Sequence, residues 1–432
     1  MRILLITETL IRDDNNVGNS YSNIFSDMND ICLANVCCQQ GQSQTAITDR
    51  CYQISEKLIL KSIFDNSMVA GHVEDKSKSQ SDVVINKRER KIYNLARILR
   101  FQIFFWIRNC IWKTGKWKEN ELCQFVDEFK PDLIFAQLQD RLYLNDVIIF
   151  LKNHLKKPLV VYTWDDVYSL KQFSLSPFYW IDRFLQRRKI RKVIALSSKI
   201  YTISYEQSKE YEAIFKKNCS ILYKGYNFDD SFDIKEIGDP IKIVYTGNLY
   251  GGRWRTVALL CRSLKRININ GIRMQLFIYS ATPLLKCQIK QLSVEGITFF
   301  CGDVTAKKVS EVQKTADILL HVEAFSLKER LTTRLSFSTK LVDYFAQQKC
   351  ILAIGHPGCS SMKYLRRNDA AIIIENEDDV LRVLSYVLAN RNIIQSYAKK
   401  SWQCGVSNHQ INKIRGTLQA DLIEIARNNT HS

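Results

Sequence analysis

The chain has 432 residues, of which 46% are hydrophobic, and its formal charge of +18 at pH 7 indicates an acidic partner such as nucleic acid, an anionic membrane or a phosphorylated substrate. This composition excludes a disordered chain and supplies enough apolar surface for two cores, so we expect two domains. No apolar run approaches the roughly 20 residues that span a bilayer, and the 13 cysteines contain no C-x-x-C pair, which argues against structural zinc.

The chain begins with the pattern of a Rossmann-like domain. RILLIT (2–7) is a predicted buried strand, and the loop IRDDNNVGNS leads to a helix predicted from Tyr21. This loop supplies Gly18 and Asn19 but lacks G-x-G-x-x-G, so dinucleotide binding is not supported. Because the first residues show no signal peptide, we expect a cytoplasmic protein with reduced thiols.

The next segment combines an insertion with a basic helix. Residues 72–90 are polar and aperiodic, which predicts a mobile insertion. From Ile92 to Trp117 the sequence predicts a helix that interleaves aromatic and aliphatic residues with arginines and lysines. The stretch 92–118 therefore suits an anionic membrane surface. An interior helix with a basic outer face explains the same pattern.

Short apolar runs then alternate with helical patterns, which predicts parallel sheets covered by helices. The runs in the first half are PDLIFAQL (131–138), PLVVYTWDD (158–166), KVIALSS (192–198), YTIS (201–204) and SILYKGYNF (220–228). After the acidic segment 229–240, the runs are IKIVYTG (241–247), MQLFIYS (274–280), GITFFCG (296–302), ILLHV (318–322) and CILAI (350–354), and helices are predicted at 378–388 and beyond 407.

We therefore predict an α/β protein with three parts. Residues 1–232 form one Rossmann-like domain, and residues 233–406 form a second. Residues 407–432 form a C-terminal helix that can pack back on the first domain.

The segment between Ile318 and Gly355 is the most informative, because it predicts strand, polar loop, helix and strand. The helix start collects hydroxyls and cations: Arg334, Ser336, Ser338, Thr339 and Lys340. Unpaired N–H groups at a helix start bind phosphate, and such cations add attraction. Glu323 and Asp343 flank this region, as a nucleotide ribose would require. Ordinary capping by serine and threonine is the alternative interpretation.

Several of these segments resemble bacterial group-1 glycosyltransferases, in particular those of polysaccharide and capsule biosynthesis. The matching segments are the opening ILLITET, YTGNLYGGRW (245–254), ILLHVEAF (318–325), TRLSFSTKLVDYF (333–345) and CILAIG (350–355). The resemblance implies the GT-B fold, in which two Rossmann-like doubly wound domains face each other across a cleft. It assigns residues 1–232 to the acceptor side and residues 233–406 to nucleotide-sugar binding. It also implies transfer of a sugar from a nucleotide-diphosphate sugar to a hydroxyl of a glycan or of a glycan carried on polyprenyl diphosphate.

The resemblance also assigns donor-binding residues. Gly247, Asn248 and Arg253 match the turn that contacts the donor diphosphate, and a basic fork suits phosphate oxygens. Ser338, Thr339 and Lys340 match the helix start that faces it. Glu323 matches the first of two family glutamates, which lies near the transferred sugar, and is therefore a candidate catalytic residue. A longer loop follows it, and the second position, which contacts the nucleotide ribose, falls on Asp343. If the resemblance is ignored, Arg253 is equally well explained as a surface residue beside a turn.

On the acceptor side, Asp165 occupies the place of a family histidine and is followed by Asp166. A carboxylate at this strand end suits a general base for the acceptor hydroxyl, and helix capping is the alternative. No acidic stretch resembles a metal-binding D-x-D, so we expect no metal and no cofactor besides the nucleotide-sugar substrate. Retention and inversion both stay open.

Two other functions fit parts of the pattern. Sugar-nucleotide 2-epimerases share the twin-domain architecture but would release free sugar, so product analysis separates them from transferases. A non-catalytic nucleic-acid-binding protein would explain the charge. We expect no nucleic acid, because the basic residues are spread along the chain without a recognised motif.

Overall fold

A computed structural model of the protein contains two β-sheets, each with helices on both faces. The structure describes residues 1–12, 16–41, 45, 47–48, 50–65, 67–74, 102–118 and 120–428. Both sheets are doubly wound, which confirms the predicted fold class.

The first sheet has eight strands in the order β4-β3-β2-β1-β5-β6-β7-β8, and its neighbours are parallel except for β3 and β4. The strands are Arg2–Thr7 (β1), Cys32–Cys37 (β2), Arg50–Ile54 (β3), Gly71–Val73 (β4), Leu133–Gln137 (β5), Leu159–Thr163 (β6), Lys199–Thr202 (β7) and Cys219–Ile221 (β8). The helices are Asn16–Phe25 (α1), Glu56–Phe64 (α2), Gln102–Thr114 (α3), Asn120–Phe129 (α4), Leu142–Leu155 (α5), Pro177–Leu196 (α6) and Tyr205–Phe215 (α7).

The second sheet has six parallel strands in the order β11-β10-β9-β12-β13-β14. They are Ile241–Thr246 (β9), Met274–Tyr279 (β10), Thr298–Gly302 (β11), Ile318–Val322 (β12), Cys350–Ile354 (β13) and Ile372–Ile374 (β14). Its helices are Arg253–Ile267 (α8), Lys286–Leu292 (α9), Ala306–Lys314 (α10), Leu327–Thr332 (α11), Lys340–Ala346 (α12), Ser360–Arg367 (α13) and Val380–Ala389 (α14).

Alternation along each buried strand builds a core on both faces of the sheet. In β1, Leu4 and Ile6 enter one core of the first sheet, whereas Ile3 and Leu5 enter the core on the opposite face. This two-sided burial explains why the strands read as continuous apolar runs.

Two long helices end the described chain, Asn392–His409 (α15) and Ile411–Asn428 (α16). Helix α15 packs on β13 and α12 of the second sheet. Helix α16 returns to the first sheet, where Leu418 and Leu422 join a core and Asp421 accepts a hydrogen bond from the Tyr201 hydroxyl at 2.7 Å. Of the described helices, none is both long and apolar enough to cross a membrane.

Several predicted boundaries were wrong. Helix α1 begins at Asn16, so Gly18 and Asn19 lie in its first turn and not in a loop. The run KVIALSS (192–198) is largely the end of α6, because Ile190, Val193 and Ile194 are buried at helical spacing. Short apolar runs do not distinguish a strand from a buried helix segment.

The helix after β12 also differs from its prediction. Helix α12 begins at Lys340, so Ser336 and Ser338 precede it in a loop, and the short helix α11 occupies part of the predicted loop. In the C-terminal region, α15 fills residues that the sequence left unassigned between 388 and 407.

The predicted insertion is described only at its start. His72 and Val73 belong to β4, which pairs antiparallel with β3 and therefore is not a mobile loop. Residues 75–90 lie outside the described part of the chain, as do residues 92–101 of the predicted basic helix. Within its described part, α3 buries Trp112 on the core and exposes Ile107.

Candidate functional site

In each sheet the strand order reverses at one place, and doubly wound proteins bind ligands there, at the carboxyl ends of the strands. In the second sheet the reversal lies between β9 and β12. Gly247 directly follows β9, and Glu323 directly follows β12. The topology therefore places the sequence-predicted turn and the first predicted glutamate at one crevice.

Gly247 leaves the backbone open beside a cation. Its φ of 137° lies in a region that side chains disfavour, and a Cβ at this position would lie 3.5 Å from Nζ of Lys340. Gly355 brings the end of β13 against Glu323, because a Cβ there would lie 2.7 Å from the Glu323 Cβ. Both glycines thus allow the close approach that forms the crevice.

Arg253 begins α8 and is oriented by two side chains. Its Nη1 donates to Oδ1 of Asn248 at 3.1 Å, and its Nη2 donates to Oε2 of Glu323 at 3.3 Å. Glu323 is almost completely buried. The Nε of Arg253 is buried and has no hydrogen-bond partner among the described residues. Glu323 therefore positions a guanidinium that still has donor capacity for an anion.

Lys340 is the strongest candidate for an anion-binding group. Its Nζ lies 4.6 Å from the ring centre of Tyr245, and it has no hydrogen-bond or ion-pair partner in the described part of the chain. Burial, with a smaller contribution from the Arg253 charge and opposed by Glu323, lowers the pKa of Lys340 to about 7. By surface area, Lys340 is half-buried, so part of the residue remains in contact with water.

A buried histidine that sequence reasoning missed completes this cluster. His321 in β12 has no exposed surface, and Nδ1 and Nε2 both lack hydrogen-bond partners within the described residues. Burial and the charges of Lys340 and Arg253 lower its pKa well below the usual value, so the ring is neutral. The sequence did offer a signal for this histidine. It precedes Glu323 by two residues, so the two side chains point to the same side of the strand.

Asp165 lies opposite, directly beyond β6 of the first sheet. Its Oδ1 accepts a hydrogen bond of 2.8 Å from Oγ of Ser336, which precedes Lys340 by four residues. Burial, reinforced by nearby Asp140 and Asp166 and opposed by the Ser336 hydrogen bond, raises the pKa of Asp165. By surface area, however, the residue is exposed, and contact with water moderates this shift. A carboxylate with a raised pKa is suited to accept a proton.

Asp166 and Arg334 are occupied by each other. Nη2 of Arg334 donates to Oδ2 of Asp166 at 2.9 Å, and the two Nη atoms donate to the Glu210 carboxylate at 2.5 and 2.9 Å. Asp166 also accepts hydrogen bonds from the backbone and hydroxyl of Ser169. These residues join the two halves of the protein. Arg334 therefore does not belong to the Lys340 cluster. Both carboxylate oxygens of Asp166 are engaged by these partners and are not free for catalysis.

The remaining donor-side residues lie beside Lys340 but are partly engaged. The backbone N–H of Ser338 donates to Oγ of Ser361 at 3.0 Å, and Thr339 makes no side-chain capping bond. Asp343 forms an ion pair of 2.5 Å with Lys224. A ribose contact by Asp343 therefore requires exchange of this partner.

Residues at the reversal point of the first sheet were also missed. Glu8 directly follows β1, and its Oε1 accepts from Nε of Arg141 at 3.0 Å and from the hydroxyl of Tyr143 at 2.7 Å. Their positions just beyond β1 and β5 were the available signal. The predicted acceptor-side residues lie nearby in sequence on α1, where Gly18 packs against the Arg12 backbone and Asn19 is exposed.

A cavity of about 700 Å³ lies between the two halves, next to the loop that carries Arg334 and not over the Lys340 cluster. Its charged lining comprises Lys171, Lys209, Arg330, Arg334, Lys363, Glu206 and Glu210. The excess of cations suits an anionic ligand. Among the described residues, no group of three His, Cys, Asp or Glu side chains is placed to hold a metal ion.

Several solved structures share this architecture. HepE from Anabaena in complex with UDP superposes with a TM-score of 0.63 at 10% identity, covering 98% of this chain and 100% of that chain. Sucrose-phosphate synthase from Thermosynechococcus elongatus gives 0.60 at 9% identity, covering 98% and 99%. WaaG, a glycosyltransferase involved in lipopolysaccharide biosynthesis, gives 0.55 at 10% identity, covering 97% and 98%.

No family model matches the sequence, and no curated protein matches it either. The structural similarity spans nearly the whole chain and both sheets. The chain therefore has the GT-B fold, as predicted.

Proposed function

We propose that the protein is a glycosyltransferase that moves a sugar from a nucleotide-diphosphate sugar to a hydroxyl of a glycan acceptor in surface polysaccharide biosynthesis. The observation that carries the proposal is the unpaired Lys340 ammonium, which lies beside Arg253 at the reversal point of the second sheet and is linked through Ser336 to the carboxylate of Asp165. The loop that leads into the anion site therefore also holds the candidate base in place.

The donor side follows from charge. Lys340 and Arg253 would bind the diphosphate and stabilise the negative charge that develops on it as its bond to the sugar breaks. Glu323 serves here by orienting Arg253. We propose that these fixed cations make a metal ion unnecessary. Similar structures have been solved in complex with UDP and with UDP-glucose, which supports a uridine nucleotide as the first donor to test.

The acceptor side follows from position. Asp165 would accept the proton of the acceptor hydroxyl while the hydroxyl oxygen forms the new bond to the sugar. The crevice would hold both reactants within reach of each other. The cation-lined cavity beside Arg334 suits an acceptor that carries phosphate, such as a glycan on polyprenyl diphosphate. We propose a cytoplasmic enzyme acting at the inner membrane face.

Product analysis tests this proposal. The protein would be incubated with radiolabelled UDP-glucose, UDP-N-acetylglucosamine and GDP-mannose and a membrane extract as the acceptor source. We expect label in glycan or lipid-linked material, together with release of nucleoside diphosphate. Free epimerised sugar without transfer would instead indicate a 2-epimerase and would contradict the proposal.

A further inference from the structure

An apolar surface lies on the first half of the protein, outside the crevice. Within sixteen residues, seven large apolar side chains are exposed to solvent: Leu170, Phe173, Leu175, Phe178, Ile181, Phe184 and Leu185. Leu175 is 90% exposed. We call the loop 170–176 and the outward face of α6 the apolar ridge. Such a concentration of exposed apolar side chains marks an interaction site.

The exposure follows from the way α6 packs. Its inward face buries Arg183, Gln186, Ile190 and Val193, which recur at helical spacing. The outward face begins with the apolar side chains of the ridge and continues into the exposed basic residues Arg188, Arg191 and Lys192. The helix therefore presents an apolar end and a basic end to the same side.

The charge around the ridge is mainly positive. Between residues 167 and 205 the sequence contains eight lysines and arginines and a single acidic residue, Asp182. Lys171 and Lys189 are paired with carboxylates of other elements. The exposed cations at the end of α6 form no ion pair among the described residues, so this end of the helix is positively charged. A partner that is both apolar and anionic complements this surface, and a bilayer with anionic headgroups has these two properties.

The ridge continues onto the neighbouring helix. The ring of Trp106 in α3 lies 6.2 Å from that of Phe178, and Ile107 beside it is exposed. Lys171 belongs to the ridge loop and also lines the cation-rich cavity between the two halves. A bilayer against the ridge would therefore meet the mouth of that cavity.

We propose that the apolar ridge docks the protein on an anionic phospholipid bilayer, with the ridge side chains inserted at the level of the acyl chains and the basic end of α6 among the headgroups. This surface differs from the stretch 92–118 expected from the sequence, of which Trp106 and Ile107 adjoin it. The inference rests on the proposed action at the inner membrane face and assigns a surface to it. The surface lies outside the crevice, so it can be tested without the transfer reaction.

Vesicle co-sedimentation tests the inference with a triple variant, Leu175→Ser, Phe184→Ser and Leu185→Ser. These side chains are exposed, and Phe178 is retained because it contacts Trp106. The matched control is Ile269→Ser, Ile272→Ser and Leu285→Ser, three exposed apolar residues of the second half. With phosphatidylcholine–phosphatidylglycerol vesicles, we expect the ridge variant to bind more weakly by on the order of 10-fold or more, and the control to bind like the wild type.

A charge variant tests the basic end. Arg188→Glu with Lys192→Glu alters two exposed side chains and should remove the preference for phosphatidylglycerol over pure phosphatidylcholine vesicles, together with the salt sensitivity of binding. Thermal unfolding of each variant checks that the fold is intact. Binding is read without any sugar transfer, so failure of this inference and failure of the proposed reaction are distinguishable.

Four results would overturn the inference. The wild type does not sediment with anionic vesicles, or the ridge variant binds as tightly as the wild type. Alternatively, the wild type is a dimer that the ridge variant converts to a monomer, which would show that a second copy covers the ridge. Finally, the amides of Phe173 and Leu175, which donate no hydrogen bond among the described residues, exchange slowly without vesicles, which would show that another part of the protein covers them.

Discussion

We expect Asp165→Asn to lower kcat by about 10²–10⁴-fold, the usual contribution of general base catalysis, and to leave donor affinity nearly unchanged. Asparagine has the same size and still accepts the hydrogen bond from Ser336, so the loop toward Lys340 keeps its position. What is lost is the capacity to take a proton. Steady-state kinetics with varied donor concentration separates the fall in kcat from a change in KM.

The pH dependence gives a second readout for Asp165. The base acts in its ionised form, and burial raises its pKa, so kcat should fall as the pH is lowered through that raised value. The residual activity of Asp165→Asn should lack this fall. Asp182→Asn is the matched control, because burial and Asp140 raise the pKa of Asp182 to about 6 in the same region. Loss of activity in Asp182→Asn with unchanged Asp165→Asn would move the base to Asp182.

We expect Lys340→Ala to lower kcat/KM by about 10²–10³-fold, because one preorganised group that stabilises the leaving charge is removed. It should also weaken binding of the nucleoside diphosphate alone. Lys242→Ala is the matched control, because Nζ of Lys242 also lies over an aromatic ring, 4.7 Å from the centre of Phe277, but belongs to β9 and not to the crevice. We expect that control to retain wild-type kinetics.

Proton uptake identifies Lys340 more specifically. Its pKa is about 7 in the free protein, compared with 10.5 for an ordinary lysine, so the amine is mostly neutral above pH 7. A bound diphosphate favours the charged form, and binding should therefore take up a proton and weaken as the pH rises above 7. Calorimetry in buffers of different ionisation enthalpy measures this uptake. Equal uptake by the wild type and Lys340→Ala would exclude Lys340 as its source.

The same pKa fixes the sign of a stability effect. Between pH 7 and 10.5 the unfolded chain carries more protons at Lys340 than the folded chain does. The effect of this residue is therefore to increase the free energy of unfolding, and so to stabilise the folded protein, as the pH rises through that range. Below pH 7 the folded protein retains the full cost of an enclosed, unpaired ammonium, which a bound anion would offset.

The sequence was sufficient to predict two doubly wound sheets and the strands that flank the crevice, but the edge strands β2, β3 and β4 were not predicted. Strands such as β12 and β13 are buried on both faces, so they appear as uninterrupted apolar runs. Gly247 and Glu323 directly follow strands, and the carboxyl ends of parallel strands meet at one edge. Sequence reasoning could therefore bring them together without knowledge of side-chain contacts.

Other features depend on contacts that no local pattern encodes. Arg334 and Asp166 are 168 residues apart in the chain, so their ion pair was not visible, and Arg334 was predicted to bind the donor. Asp343 likewise meets Lys224 from the first half of the chain. Partners chosen by tertiary structure decide which charged side chains are free for a ligand, and sequence alone assigns them only by proximity to a motif.

The apolar ridge was missed for a related reason. Residues such as Phe178 and Phe184 have the composition of a core helix, and only the packing of α6 shows that they face outward. The start of α1 was misplaced because Asn16 and the residues before it have turn-forming side chains. In both cases the packing of the helix decides the environment of its residues, and local composition does not encode that packing.

Thermal unfolding of the wild type and Lys340→Ala with UDP, GDP, CMP and ADP, each in large excess and without added metal, tests the central claim most directly. A ligand at about 100 times its dissociation constant adds roughly 2.7 kcal/mol of stability. We expect one nucleoside diphosphate to stabilise the wild type selectively and to stabilise Lys340→Ala far less. If none of the four stabilises the wild type, the crevice is not a nucleotide-sugar site.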